Sequence, residues 1–398
     1  MKRICFYAVA THLGGAERSV LELLAGLKAH PEWGYEPYLI LPKSSGPFVA
    51  EIEKGGYEYS VLEIPQSVLK LSRAASLKTF LNALLAAPEM IIYGKQFLRI
   101  LRNERIALIH TNAIKCHLLA AVFGQLATVP VLWHLRDILA EGPTVRLMRL
   151  IEKIGRVNLI ANSAATARAY RKHAKIPVAL NGLNSADYIP KPQRKLSQEF
   201  RIDPKIPVIG ILGVLARWKG QVEFIEMAKL LSERGIDAHF VIVGDAIYDT
   251  EGERGFKQTL LEKVREVGLE KRIHFTGFRQ DAVDVINSLD ILVHASIRPE
   301  PFGRVVAEAL ACEVPVMASR EGGVLEQVSD GISALLFTPG NSSEMALVAQ
   351  RLLGDEPLRA RLKKNGRARF LSTLTHEKYV ESVKRVYDEL FLTTQRSR

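Results

Sequence analysis

Cysteine is scarce in this sequence. Three occur, Cys5, Cys116 and Cys312. They are far apart, odd in number and fit neither a metal-ligand spacing nor a disulfide framework, which points to a reducing cytosol. Long hydrophobic runs are also lacking. Nothing approaches the roughly 18 consecutive apolar residues that a membrane span needs. The early run "ICFYAVA" is too brief for a signal peptide and has no cleavage site after it. There is no low-complexity tract and no short-period repeat. Three motifs are missing as well. No G-x-G-x-x-G follows the first strand of either half, which weighs against an NAD-dependent oxidoreductase. No Asp-x-Asp triplet occurs anywhere. No aromatic-and-basic module such as RNP1 is present, which weighs against a nucleic-acid-binding protein.

What is present is a globular chain of 398 residues, 47% hydrophobic and 24% charged, long enough for two domains. The net charge of +11 is uneven: residues 1–190 carry 23 Lys and Arg against 14 Asp and Glu, the rest 31 against 29. A basic first half suits an anionic partner.

Short apolar runs alternate with helical patterns throughout. In the first half these are "RICFY", "YLIL", "ALIH", "PVLWH", "NLIAN" and "PVAL". In the second they are "PVIGIL", "FVIVG", "IHFTG", "DILVHA", "PVMAS" and "ALLFT". Most are continuous rather than alternating, as in parallel strands buried on both faces. The class is α/β, with two Rossmann-like doubly wound domains facing across a cleft. The prolines Pro190, Pro192, Pro204 and Pro207 mark a linker. The expected division is a first domain over 1–188, a linker over 189–206 and a second domain over 207–372. A last helix over 373–398, with Tyr379, Val383, Val386 and Leu390 at helical spacing, packs back toward the first domain.

The stretch "RPEPFGRVVAEAL", residues 298–310, carries the chemistry. Glu300 lies in a loop after a buried strand, and Glu308 lies on the helix that follows. Backbone N–H groups at a helix start are unpartnered and sit at the positive end of the dipole. Those around Phe302, Gly303 and Arg304 can hold a phosphate, with Gly303 allowing close approach. Helical side chains lean toward the N-terminus, so Glu308 points back to that phosphate. The spacing suits a nucleotide-sugar, with ribose hydroxyls on one acid and a hexose on the other. The plain alternative is a loop acid and a surface helix charge.

The stretches "EPFGRVVAEALACEVPVMAS" and "EGGVLEQVSDGISALLFTPGN" resemble the donor-binding signature of the family-four retaining glycosyltransferases of the GT-B fold. The likeness runs over nearly the whole chain in the expected order. It implies that Glu300 binds the transferred sugar and Glu308 the ribose. "GVLARWKGQ" resembles the family's basic loop, and Lys219 matches the lysine that neutralises the donor diphosphate. Val214 stands where the family usually has arginine; Arg217 either reaches the same phosphates or is a solvent charge. "THLGGAERSV" resembles the glycine loop of the first domain, where Gly14 and Gly15 open a helix at the donor phosphates and the acceptor. His134, at the end of "VLWH", resembles the strand-end histidine beside the transferred sugar, with Arg136 and Asp137 next to it. Phe278 and Arg279 fall in the segment that lies against the nucleobase. "NGLNSADY" resembles the turn before the hinge, a structural feature.

The expectation is a retaining glycosyltransferase with Glu300, His134 and Lys219 as catalytic residues. Its donor is a nucleoside diphosphate sugar, with no cofactor and no metal. Leaving-group charge then meets Lys219 and the helix end. A same-fold sugar-nucleotide epimerase, a soluble acceptor and a non-enzymatic polyanion-binding protein are the alternatives. Residues 66–105 carry Lys70, Arg73, Lys78, Lys95, Arg99, Arg102 and Arg105 against Glu89 and Glu104. A basic surface of this kind beside apolar side chains suits an anionic bilayer. A lipid-linked or cell-envelope glycan acceptor at the inner face of the cytoplasmic membrane follows, with 66–87 the better membrane-facing candidate than 90–102.

Overall fold

Strands that are apolar along their whole length must be covered on both faces, and helices between them do the covering. The structure, a computed structural model, describes residues 1–9, 13–65, 88–173, 175–191, 193–246 and 255–396. The chain divides into two units, Met1–Gly182 with Tyr379–Arg398, and Leu183–Lys378.

Unit 1 holds β1 (Lys2–Tyr7), β2 (Tyr35–Leu41), β3 (Glu58–Val61), β4 (Ile106–Thr111), β5 (Val131–Leu135) and β6 (Asn158–Ala161). The sheet order is β3-β2-β1-β4-β5-β6, parallel throughout. Cys5 on β1 lies between Tyr38 and Ile109. The chain winds outward to β3 and then returns to the other side of β1. The carboxyl ends of β1 and β4 are therefore the switch point at which such sheets bind ligands.

The last helix, His376–Arg396, adds Tyr379, Val383 and Tyr387 to a core with Ile4, Leu39 and Leu108 of the sheet. Its polar atoms are matched as well: the Tyr387 hydroxyl is 2.6 Å from His110 Nδ1, and Tyr35 donates to Asp388 at 2.6 Å.

Unit 2 holds β7 (Val208–Leu212), β8 (His239–Val243), β9 (Ile273–Gly277), β10 (Ile291–His294), β11 (Val316–Ser319) and β12 (Leu335–Phe337). Their order is β12-β11-β10-β7-β8-β9, again parallel. The switch point lies between β7 and β10, where Ile209 pairs with Ile291.

All six apolar runs of the second half form strands. In the first half "PVAL" makes only an isolated bridge, Ala161 to Val178. The sheet instead gains β3, "EYSV", a short edge strand with no buried residue. The proline-rich stretch is also more tightly held than a linker. Asn287 accepts from Lys191 N–H at 2.9 Å, and Arg194 reaches both oxygens of Asp290. The units accordingly divide at 182/183 and 378/379. Of the basic stretch, 66–87 lies outside the described residues.

Tyr387→Phe would leave buried His110 Nδ1 without its partner, at a cost of about 1–3 kcal/mol. Urea unfolding of the full chain should show a stability lower by that amount, with the midpoint shifted down by that amount divided by the m-value. An unchanged midpoint would show that this bond contributes nothing to holding the last helix.

Candidate active site

The site of unit 2 is built from the two strands at its switch point. After β7 the chain makes a 3-10 turn, Arg217–Lys219, closed by Gly220 at φ 79°. A Cβ on Gly220 would lie 2.0 Å from Ala295 O, so only glycine lets this turn press against the end of β10. The turn is tied across by Ile297 N–H donating to Trp218 O at 2.9 Å. These contacts bring Lys219 to the loop that follows β10.

Lys219 Nζ lies 2.6 Å from Glu300 Oε1. The other oxygen, Oε2, takes His294 Nε2 at 2.8 Å and the Ser296 hydroxyl at 2.9 Å. The two charged side chains are only 14% and 13% exposed. Burial pushes the Glu300 pKa up, but the Lys219 charge and the hydrogen bond from His294 outweigh it. The carboxyl is held well below the usual glutamate range.

The glycine pair after β11 supports the same loop from below. Gly322 has φ 70°, and a Cβ there would meet Glu300 O at 2.5 Å. A Cβ on Gly323 would meet Pro301 O at 2.1 Å. Gly323 N–H donates to Glu300 O at 2.8 Å, which fixes the loop backbone. Buried Gln327 donates to Phe302 O. Gly303 caps the Arg304–Ala311 helix at φ 82°, with no side chain closing that helix start. Phe302 itself is buried.

Glu308 lies one turn into that helix. Its Oε1 accepts from Arg304 Nε at 2.9 Å and from the Tyr188 hydroxyl at 3.2 Å. Tyr188 ends the turn that the sequence marked as structural, so that turn also delivers a hydroxyl to Glu308. Arg217 is exposed and stands over the Phe256 ring at 5.1 Å. Phe278 is 68% exposed, as a stacking platform would be. Arg279, expected beside the base, is committed elsewhere: Glu199 takes its Nη1 with both oxygens at 2.9 Å, and Asp281 takes Nε at 2.7 Å.

In unit 1, Gly14 caps the Gly15–Ala29 helix and is braced by its N–H donating to Glu17 at 3.1 Å. A Cβ on Gly15 would meet open space, and residues 10–12 of this loop lie outside the described residues. His134 ends β5 but is wholly buried, not at the unit's surface. Burial, then the Arg136 charge, holds its pKa well below the usual histidine range, so the ring is neutral. Arg136 donates to Asn112, Asn181 and the Tyr379 hydroxyl, each at 2.7 Å. Its Nη2 also approaches His134 Nδ1 at 3.3 Å. Guanidinium only donates, so Nδ1 accepts and the proton sits on Nε2. That nitrogen has no acceptor among the described residues. His110, 3.1 Å from His134, completes a buried polar row.

The residues that sequence reading missed are His294, Ser296, Gln327, Tyr188 and His110. His294 and Ser296 stand in "DILVHAS", where a histidine and a serine interrupt an apolar run just before the acid. That interruption was the available signal.

Comparison with known proteins agrees with this layout. The profile "Glycosyl transferases group 1" matches residues 192–369, and "Glycosyltransferase Family 4" matches residues 13–186. The structure is similar to Anabaena Alr3699/HepE in complex with UDP-glucose, at TM-score 0.81 and 25% identity, covering 98% of this chain and 100% of that one. In sequence it is 23% identical over 312 residues to the N-acetyl-alpha-D-glucosaminyl L-malate synthase of Bacillus anthracis, 75% of this chain and 79% of that one. It is 28% identical over 237 residues to a lipopolysaccharide core biosynthesis mannosyltransferase of Rhizobium meliloti, 58% of this chain and 65% of that one.

A carboxyl with a lowered folded pKa stabilises the fold in full above the unfolded value of about 4.3 and loses that contribution as pH falls. The stability difference between the wild type and Glu300→Gln should therefore be constant from pH 6 to 8 and shrink below about pH 4. Denaturant titrations across this range check it. A difference that grows on acidification would contradict the ionised pair.

Proposed function

We propose that this chain, which belongs to the family-four glycosyltransferases of the GT-B fold, is a retaining enzyme. It moves a hexosyl or N-acetylhexosaminyl group from a uridine diphosphate sugar to an acceptor hydroxyl. The observation that carries the reading is the Lys219–Glu300 pair beside a helix start whose N-cap is Gly303, at the switch point of a parallel sheet. The similarity to a protein solved with UDP-glucose supports uridine and a hexose.

The chemistry follows from charge. Departure of the diphosphate builds negative charge on the leaving group. Lys219 and the N–H groups at the start of the Arg304–Ala311 helix meet it where it forms. Glu300 accepts hydrogen bonds from hydroxyls of the sugar and holds the anomeric carbon toward the acceptor. Glu308 accepts the ribose hydroxyls on Oε2, since Arg304 and Tyr188 both occupy Oε1. In unit 1, the Nε2–H of His134 is a buried donor with no acceptor among the described residues, suited to a hydroxyl. With cations of the chain itself on the diphosphate, the reaction needs no metal. Retention proceeds by attack on the face that the diphosphate leaves.

The acceptor is a lipid-linked or cell-envelope glycan, supported by the lipopolysaccharide relative. Peripheral contact with an anionic bilayer is part of the same proposal. In the Pro88–Asn103 helix, Met90, Tyr93, Phe97 and Leu101 face the core. Ile91 and Ile92 are 64% and 58% exposed on the opposite face, beside exposed Lys95, Arg99 and Arg102. Basic side chains near an anionic surface contribute about 1 kcal/mol each. No helix among the described residues is long and apolar enough to cross a membrane.

Glu300→Gln should lower turnover by about 10²-fold or more with little change in UDP affinity, whereas Lys219→Ala should weaken UDP binding too. Transfer by Glu300→Gln within a few-fold of wild type removes the role given to Glu300. Activity should persist in excess chelator; complete loss that manganese or magnesium restores would overturn the metal-free reading. Sedimentation with anionic liposomes at low salt, lost at high salt and lost in Lys95→Glu/Arg99→Glu, is expected. No binding, with full activity on a water-soluble acceptor, rules out the membrane contact.

A further inference from the structure

We infer that His294 is a positioning residue that keeps Glu300 aimed at the sugar when Lys219 turns to the donor diphosphate. The inference rests on the reading of Glu300 given above and adds a residue to it.

The argument starts from the lone pairs of one carboxylate. Among the described residues Glu300 Oε1 takes only Lys219, and Oε2 takes His294 and Ser296. A carboxylate oxygen accepts about two hydrogen bonds. Oε2 is therefore full, and Oε1 keeps one place for a sugar hydroxyl. That place lies next to Lys219 Nζ, so sugar and diphosphate compete for the same ammonium. A lysine is a flexible stem with a point charge, and a diphosphate is the stronger attraction. When Nζ moves to it, Glu300 loses its cationic partner. The donors that stay are His294 and Ser296.

His294 is placed for this task. It ends β10, paired with Ala318 of β11, and its side chain is 4% exposed. Its Nδ1 is buried and has no partner among the described residues, so the ring acts through Nε2–H, which lies 2.8 Å from Glu300 Oε2 and 3.4 Å from the Ser296 hydroxyl. A Cβ on Gly303 would come within 3.1 Å of Nε2 and 3.0 Å of Val324 Cγ2. The glycine that opens the helix start to a phosphate thus also leaves room for the imidazole under Glu300. The titratable groups facing the carboxylate are Lys219 from the turn after β7 and His294 from β10. The Gly322–Glu326 turn approaches with the backbone of Gly322 and Gly323.

The test uses UDP-glucose hydrolysis by the full chain, with UDP binding by calorimetry. His294→Leu, and His294→Asn whose amide is too short to reach, should lower kcat about 10- to 100-fold. KM for UDP-glucose and Kd for UDP should stay within about threefold. The acid limb of the pH–kcat profile should move to higher pH, because Glu300 loses a donor to its ionised form. His294→Gln, which restores an Nε2 donor, should recover most of kcat and return the limb. Wild-type kcat and limb in the Asn variant would overturn the inference. Equal loss in the Asn and Gln variants with an unmoved limb would also overturn it, since that is a packing effect. If Glu300→Gln is inactive while His294→Asn is normal, only this inference fails. If Glu300→Gln keeps its turnover, the reading beneath it fails.

Discussion

One ion pair organises the chemistry of unit 2. Lys219 and Glu300 face each other at 2.6 Å with little access to water. Taking charges out of water costs several kcal/mol per ion, and such a pair survives only where further hydrogen bonds satisfy it. His294 and Ser296 supply those bonds to the carboxylate. The arrangement is poor as a way to stabilise a fold and well suited to a reaction. On the proposed reading, Lys219 turns from Glu300 to the diphosphate when the donor binds, and it then meets the charge that develops between sugar and phosphate.

Backbone geometry makes the pair possible. The strand order puts β7 and β10 side by side, so the segments leaving them emerge together. Gly220, Gly322 and Gly323 then allow main chains to touch at distances that any Cβ would forbid. Gln327 and Gly323 hold the loop that carries Glu300. Unit 1 solves a different problem, that of burying polar groups at its strand ends. His110, His134, Arg136, Tyr379 and Tyr387 form one hydrogen-bonded row there that leaves only His134 Nε2 unmet among their described atoms, and the last helix contributes two of the five.

Much of this was legible in the sequence because its signals are local. Runs such as "PVIGIL" and "DILVHA" declare buried parallel strands, and "EPFG" with "EGG" declares a loop, a helix start and a close backbone approach. The strand "EYSV" was not legible, because an edge strand with polar faces has no apolar run to betray it. How the proline-rich stretch is held was not legible either: prolines signal irregular backbone but not whether it is anchored, and here Asn287 and Asp290 anchor it. Partners distant in sequence were invisible by nature. Tyr188 meets Glu308 across 120 positions, and Glu199 takes Arg279 across 80. His134 was found at its strand end, but no sequence pattern tells a buried neutral imidazole from one open to a ligand.

The central claim is that Glu300 receives the sugar and Lys219 the diphosphate. A crystal structure of this chain with UDP-glucose bound tests it most directly. The account predicts Lys219 Nζ and the Gly303 end of the helix within hydrogen-bond distance of phosphate oxygens, Glu300 bonded to a glucose hydroxyl, and Glu308 bonded to the ribose. A donor seated away from this helix start, with the Lys219–Glu300 contact undisturbed, would contradict it.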